Sequence, residues 1–116
     1  MQAQTNALVA IGFTTGEDVD QALHWASRVS ESLAGRSRYH GARNRLQAVI
    51  WTHFRVLGER QHAISTAGVL QLHIWAKDNI GSLTAKQLVD GRQFARAIGI
   101  LHDRVIIEPS RRRVAA

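Results

Sequence analysis

The chain has 116 residues, of which 45% are hydrophobic and 21% charged, and this is the size and composition of one soluble globular domain. It contains no cysteine, which excludes a disulfide framework, a thiolate metal site and a cysteine nucleophile. Fifteen basic residues against nine acids give a net charge of +6, and such a surplus favours a polyanionic partner.

The first predicted helix begins at Thr15, whose hydroxyl can cap it together with Asp18 three residues on. Gly35 is placed to end this helix in the left-handed conformation. Between them, apolar residues recur at intervals of three and four and form one stripe: Val19, Ala22, Leu23, Ala26, Val29 and Leu33.

Three further helices are predicted, over about Tyr39–Leu57, over about Gln61–Asn79, and from Ser82 or Thr84 to Leu101. The third helix is apolar more than halfway round, which is typical of a helix in the core or in a partner interface. Thr84 and Gln87 form a capping box for the fourth. Asp90-Gly91 interrupts that helix and can divide it into two shorter ones.

After the fourth helix, Val105–Pro109 is β-branched and ends in proline, so an extended segment is predicted there. The sequence therefore predicts an all-α fold, a small bundle of four or five helices with an extended basic C-terminal tail. Residues 1–109 form a single helical domain in this prediction, and residues 110–116 form a basic, flexible tail. Residues 1–14 fit a helix or a strand equally well.

The strongest candidate site is a run of arginines without an acid: Arg36, Arg38, Arg43 and Arg45. Guanidinium groups suit phosphate because their planar donors bond two oxygens at once. Tyr39, which lies among the arginines, is a candidate for stacking on unpaired bases. The structural alternative is a solvated basic segment paired with the acids of the first helix, Glu17, Asp18, Asp20 and Glu31.

Arg92 and Arg96 lie one turn apart on the fourth helix and form a second candidate phosphate contact. Their alternative is neutralisation by Asp90 and Asp103. A DNA-reading helix-turn-helix with its turn at Asp90-Gly91 is a further hypothesis for this segment, with Arg92, Gln93 and Arg96 on the recognition helix.

No recognised catalytic or metal-binding motif is present. The six histidines include no pair four residues apart, and the sequence has no nucleophile elbow, P-loop or dinucleotide fingerprint. We therefore expect no catalytic residue, no metal, no cofactor and no enzyme activity.

Trp25 and Trp75 adjoin apolar stripes and are predicted in the core or an interface, whereas Trp51 lies off its stripe and is predicted on a partner surface.

A short, cysteine-free, arginine-rich helical bundle with Arg36, Arg38, Arg43 and Arg45 at the start of a helix resembles the small subunit of CRISPR effector ribonucleoproteins. This resemblance covers the whole chain in size and character. It implies a non-catalytic subunit, present in several copies, whose basic face contacts the backbone of RNA or displaced single-stranded DNA. The arginines just named are the positions that carry over.

A second resemblance is to phage small-terminase-type DNA-packaging proteins. It is carried by Leu83–Leu88 (LTAKQL) and Ala97–Arg104 (AIGILHDR), about a quarter of the chain, although no N-terminal helix-turn-helix precedes them here.

The predicted function is therefore binding of nucleic-acid backbone by a helical subunit of a CRISPR-type ribonucleoprotein complex. The predicted partners are RNA or single-stranded DNA and other subunits, including copies of this chain, and no membrane. We expect a cytoplasmic protein, since the sequence has neither a secretory signal nor a membrane-spanning apolar run. The alternatives are a small-terminase-like DNA-binding protein and an adaptor or inhibitor with an acidic protein partner.

Overall fold

Four long helices pack in a ring, as the sequence predicts for a helical bundle. The computed structural model describes residues 16–56 and 62–115. The long helices are α1 (Gly16–Leu33), α2 (His40–His53), α3 (Thr66–Asn79) and α4 (Ala85–His102). Each packs on two others in the order α1, α2, α3, α4 and back to α1, so α2 and α4 face each other across the bundle.

Shorter elements join the long helices. Two 3₁₀ turns, Ser37–Tyr39 and Ile80–Ser82, precede α2 and α4, and a two-stranded hairpin connects α2 to α3. The chain ends in a π-helical turn, Asp103–Ile107, followed by α5 (Glu108–Ala115). No helix within 16–56 and 62–115 has both the length and the hydropathy needed to cross a bilayer.

The predicted apolar stripe of α1 lies in the core. Val19, Ala22, Ala26, Val29 and Leu33 are all buried, and they pack in the core that also holds residues of α2, α3 and α4. Gly35 has φ 77°, the left-handed conformation predicted for the end of this helix. The predicted cap at Thr15 and residues 1–14 lie outside the described residues.

The sequence predicts that the second helix continues to about Leu57 and that the third begins at about Gln61. In the structure α2 ends at His53 and α3 begins at Thr66, and two short strands lie between them. Strand β1 (Phe54–Val56) pairs antiparallel with β2 (His62–Ile64), with Phe54 opposite Ile64. The aromatic and β-branched side chains of these strands suit a pleated, half-buried surface. Helix α3 begins later than predicted because Ser65 caps it, its Oγ accepting a hydrogen bond from the Gly68 N–H at 3.0 Å.

Helix α4 is continuous through Asp90-Gly91, so the hypothesis of a helix-turn-helix with its turn there is wrong. Gly91 is buried, and a Cβ at this position would lie 2.8 Å from Leu83 Cδ1. The glycine leaves space for the side chains of Leu83 and Ile80, from the segment before α4, and does not form a turn.

The C-terminal segment is also helical where the sequence predicts an extended tail. The Glu108 N–H bonds to the carbonyl of Asp103, five residues back, instead of four. Such a widened turn accommodates Pro109, which has no N–H and whose ring would clash with the carbonyl four residues before it in a regular α-helix. Helical backbone therefore continues through the proline as far as Ala115.

Candidate nucleic-acid interface

The starts of α2 and α4 lie at the same end of the bundle. Tyr39 Oη donates a hydrogen bond to the Ser82 carbonyl at 2.8 Å, which ties together the turns before the two helices. Gln87 Nε2 donates to the Ser32 carbonyl at 3.0 Å and joins the first turn of α4 to the end of α1. Both helix starts carry positive partial charge. We call this region the basic end, after its cations Arg36, Arg38, Arg43, Arg45 and Lys86.

Exposed arginines occupy the chain reversal between α1 and α2. Gly35 turns the chain, and Arg36 follows in an extended conformation before the 3₁₀ turn. Arg36, Arg38 and Arg45 are all exposed. They lie within about two helical turns of the start of α2, so one polyanion can contact all three.

Tyr39 lies in the core and is only 7% exposed, so its ring is not offered to a base as the sequence analysis expected. Its hydroxyl instead accepts a hydrogen bond from Arg38 Nη2 at 2.6 Å, and the Arg38 guanidinium carbon lies 4.8 Å from the ring centroid. Burial is favoured because the ring packs in the core while the hydroxyl reaches Ser82. Tyr39 thus positions Arg38 at the surface.

The two arginines within α2 have different surroundings. Arg43 is half-buried, and its Nε is buried without a hydrogen-bond partner in the described residues. Arg45 lines a groove of about 280 Å³ between α2 and α3, with Asp78 also in the lining. Arg45 is therefore the more accessible of the two to a large ligand.

Three of the four acids of α1 that could neutralise the arginines, Glu17, Asp18 and Asp20, lie at the other end of the bundle, whereas Glu31 lies in the last turn of α1. Asp18 Oδ2 is 2.8 Å from Arg104 Nε, and Asp20 Oδ1 is 2.8 Å from His62 Nδ1. The 18 residues of α1 span about 27 Å, which separates these acids from the basic end. Within 16–56 and 62–115, none of the arginines of the basic end forms an ion pair.

Arg92 and Arg96 are exposed on α4 and lie across the bundle from α2. Neither is ion-paired within the described part of the chain, and the partner of Asp103 there is His102, at 3.7 Å. The structure therefore does not bring Arg92 and Arg96 together with Arg45. They lie further along α4 than Lys86, which is in the first turn of this helix.

A second groove, between α3 and α4, is a feature that the sequence analysis missed. It has a volume of about 520 Å³ and is lined by His73, Ala76, Lys77, Ile80, Gly81, Ala95 and Ile98. The small side chains of Ala76 and Ala95 in a helix-helix contact were its only signal in the sequence. Its lining contains one cation, Lys77, together with the His73 imidazole, and no acid.

His73 stacks on His102 beside this groove, with ring centroids 4.5 Å apart and planes inclined by 20°. Burial lowers the pKa of His73, as do the neighbouring His102 and Lys77, while Asp103 acts in the opposite direction. The imidazole is therefore held neutral over a wider pH range, with one ring nitrogen as donor and the other as acceptor.

The tryptophans divide between core and surface. Trp75 is buried and its Nε1 donates to the Ala42 carbonyl at 2.9 Å, and Trp25 packs against the core. Trp51 is 80% exposed, with its Nε1 donating to Gln47 Oε1 at 3.0 Å. Trp25 and Trp75 therefore lie in or against the core as predicted, and Trp51 lies at the surface, where a partner contact stays a prediction.

The described residues contain no cluster of three histidine or acidic side chains that could hold a metal ion. They present instead exposed arginines without ion pairs, at the basic end and along α4, and an apolar groove with Lys77 in its lining. No protein family, no curated protein and no solved structure matches this chain.

Proposed function

We propose that this protein binds the phosphate backbone of nucleic acid through the basic end, as a non-catalytic subunit of a larger assembly. Arg36, Arg38, Arg43 and Arg45 are the main contacts, and Arg92 and Arg96 on α4 are secondary ones. The observation that carries the proposal is the separation of charge along α1. Asp18 and Asp20 are ion-paired at one end, and the other end holds exposed arginines that, like Glu31 beside them, form no ion pair within the described residues.

The basic end suits phosphate for three reasons. Its arginines offer planar pairs of donors, and the partial positive charges of two helix starts add to their field. Arg38 is held against Tyr39, so it loses less conformational freedom on binding than a free side chain would. Since such contacts go to phosphates, they give affinity without sequence preference.

Exposed apolar side chains support the part of the proposal that concerns an assembly. Leu70 and Ile74 lie one turn apart on the outer face of α3, and Ile74 is 51% exposed. With Trp51 they supply the kind of side chains that protein interfaces bury. Whether the assembly is a CRISPR-type ribonucleoprotein or a small-terminase-like complex is a prediction that depends on the resemblances alone.

Charge reversal tests the proposed surface. We expect Arg36→Glu with Arg45→Glu to weaken binding of a labelled random-sequence single strand about tenfold or more, because two phosphate contacts become repulsive. The matched control is Arg55→Glu with Arg111→Glu, which changes the net charge equally but lies away from the basic end. Fluorescence anisotropy at fixed salt measures both affinities.

Equal losses for the two double variants would show that only net charge matters and would reject the basic end as the binding surface. The adaptor alternative would be established by a different result. In that case the wild-type protein does not bind nucleic acid at low salt but binds an acidic protein partner, and Arg36→Glu with Arg45→Glu abolishes this binding.

A further inference from the structure

The groove between α3 and α4 begins at the basic end. Ile80 and Gly81, which line it, belong to the same 3₁₀ turn as Ser82, whose carbonyl accepts the hydrogen bond from Tyr39. A strand held by the arginines of the basic end therefore has the mouth of this groove beside it.

One cation lines the groove, and two arginines lie near it in the sequence of α4. Lys77 lines it from α3, and on α4 the exposed Arg92 and Arg96 flank Ala95 in the sequence, three residues before it and one after it. No acid contributes to the lining. Phosphates that follow the rim would leave the bases between them facing the groove.

The interior of the groove suits the flat, apolar face of a base. Its volume of about 520 Å³ lies within the range of about 300–1,000 Å³ that is usual for small-molecule sites. Ala76, Ala95 and Ile98 give it apolar walls, and the His73 imidazole offers a donor or an acceptor to the edge of a base.

The smaller groove between α2 and α3 lacks these properties. It holds about 280 Å³, and its lining includes both Arg45 and Asp78, so the carboxylate offsets the charge of the arginine. Of the two grooves, the one between α3 and α4 is the larger and has a cation, Lys77, without an acid in its lining, so it better matches an anionic strand that carries apolar bases.

From this combination we infer that the groove between α3 and α4 receives an unpaired nucleobase of the strand bound at the basic end. This inference rests on the proposed function and adds to it a preference for single strands, because the bases of a duplex are paired and stacked and do not enter a groove. The ligand is thus a single-stranded nucleic acid with an unpaired base beside its phosphate contacts.

An abasic strand separates base contacts from phosphate contacts. The probes are a short labelled DNA single strand of mixed sequence and the same strand with abasic sites through its central half. We expect the wild-type protein to bind the intact strand about tenfold more tightly, which is the effect of one base contact worth about 1.4 kcal/mol.

Filling the groove should remove this difference. Ala95→Leu places a larger side chain in the lining, and Gly81→Leu does so from the turn, where an added Cβ meets no atom within 4 Å. We expect both variants to bind the two strands about equally and to keep the wild-type affinity for the abasic strand. The matched control is Ala48→Leu, which fills the smaller groove and should keep the tenfold ratio.

Equal binding of both strands by the wild-type protein would overturn the inference and leave the proposed function intact. Absence of binding to either strand at low salt would instead reject the proposed function itself. A tenfold ratio that survives in folded Ala95→Leu or Gly81→Leu protein would place the base contact elsewhere and would also overturn the inference.

Discussion

Gly68 allows the start of α3 to approach the end of α2. A Cβ at this position would overlap His53 Cβ and lie 2.9 Å from Ile64 Cγ1. We therefore expect Gly68→Ala to lower the free energy of unfolding by about 1–3 kcal/mol through overpacking. Gly99→Ala is the control, since its Cβ meets nothing within 4 Å, and it should raise stability by about 0.5–1 kcal/mol. Urea denaturation measures both, and a Gly68→Ala protein as stable as wild type would contradict this packing.

His73 makes stability depend on pH. Because burial, His102 and Lys77 lower its pKa in the folded protein, the unfolded state binds the proton more readily. The contribution of neutral His73 is complete above its unfolded pKa of about 6.5 and is lost as pH falls towards the folded value. We expect the Tm of wild type to fall more steeply than that of His73→Gln between about pH 7 and about pH 5. Parallel Tm curves for the two proteins would contradict this assignment.

At the scale of elements, Gln87 connects the start of α4 to α1. It is only 2% exposed, its Oε1 accepts from the Thr84 N–H at 3.1 Å, and its Nε2 donates to the Ser32 carbonyl. Gln87→Ala leaves both backbone groups without these partners, and we expect a loss of about 1–3 kcal/mol in the free energy of unfolding. Gln93→Ala, on the exposed face of the same helix, should change stability by less than about 0.5 kcal/mol. Equal losses in the two variants would show that the buried amide does not hold the elements together.

Long elements, in which the apolar spacing repeats several times, were predictable from the sequence, whereas elements of three residues were not. The stripe from Val19 to Leu33 and the Thr84–Gln87 capping box identify α1 and the start of α4, because side-chain spacing and end-group hydrogen bonds are local properties. The three-residue strands of the hairpin are too short to show a period that differs from that of the flanking helices. Gly91 and Pro109 wrongly predict breaks in the helical backbone. Gly91 lies within a continuous helix and packs against Leu83, and a widened turn accommodates Pro109.

At the scale of the whole molecule, the arginine-rich segment was predictable but its surroundings were not. The sequence shows where Arg36 and Arg45 lie along the chain, yet their exposure depends on how α1 and α2 pack. Tyr39 illustrates the limit, because its burial depends on Ser82, 43 residues away. The groove between α3 and α4 is likewise formed by residues distant in sequence, so no local pattern indicates it.

The arrangement of charge along α1 leaves most of the acids of this helix away from the arginines of the basic end. Helix α1 carries Glu17, Asp18 and Asp20 at its start, where the helix dipole favours negative charge, and its other end meets the arginines. The helix thus holds three of its four acids away from the arginines, with only Glu31 at the arginine end, and the protein presents a basic end.

The salt dependence of binding shows whether the arginines of the basic end contact phosphates. The measurement is the affinity of the wild-type protein for a random-sequence single strand across a salt series. If the four arginines of the basic end each neutralise one phosphate, log K falls with log salt at a slope of about −3, and Arg36→Glu with Arg45→Glu reduces that slope to about −1.5 or less. An affinity that does not change with salt, or a slope left unaltered by the double variant, would contradict the account.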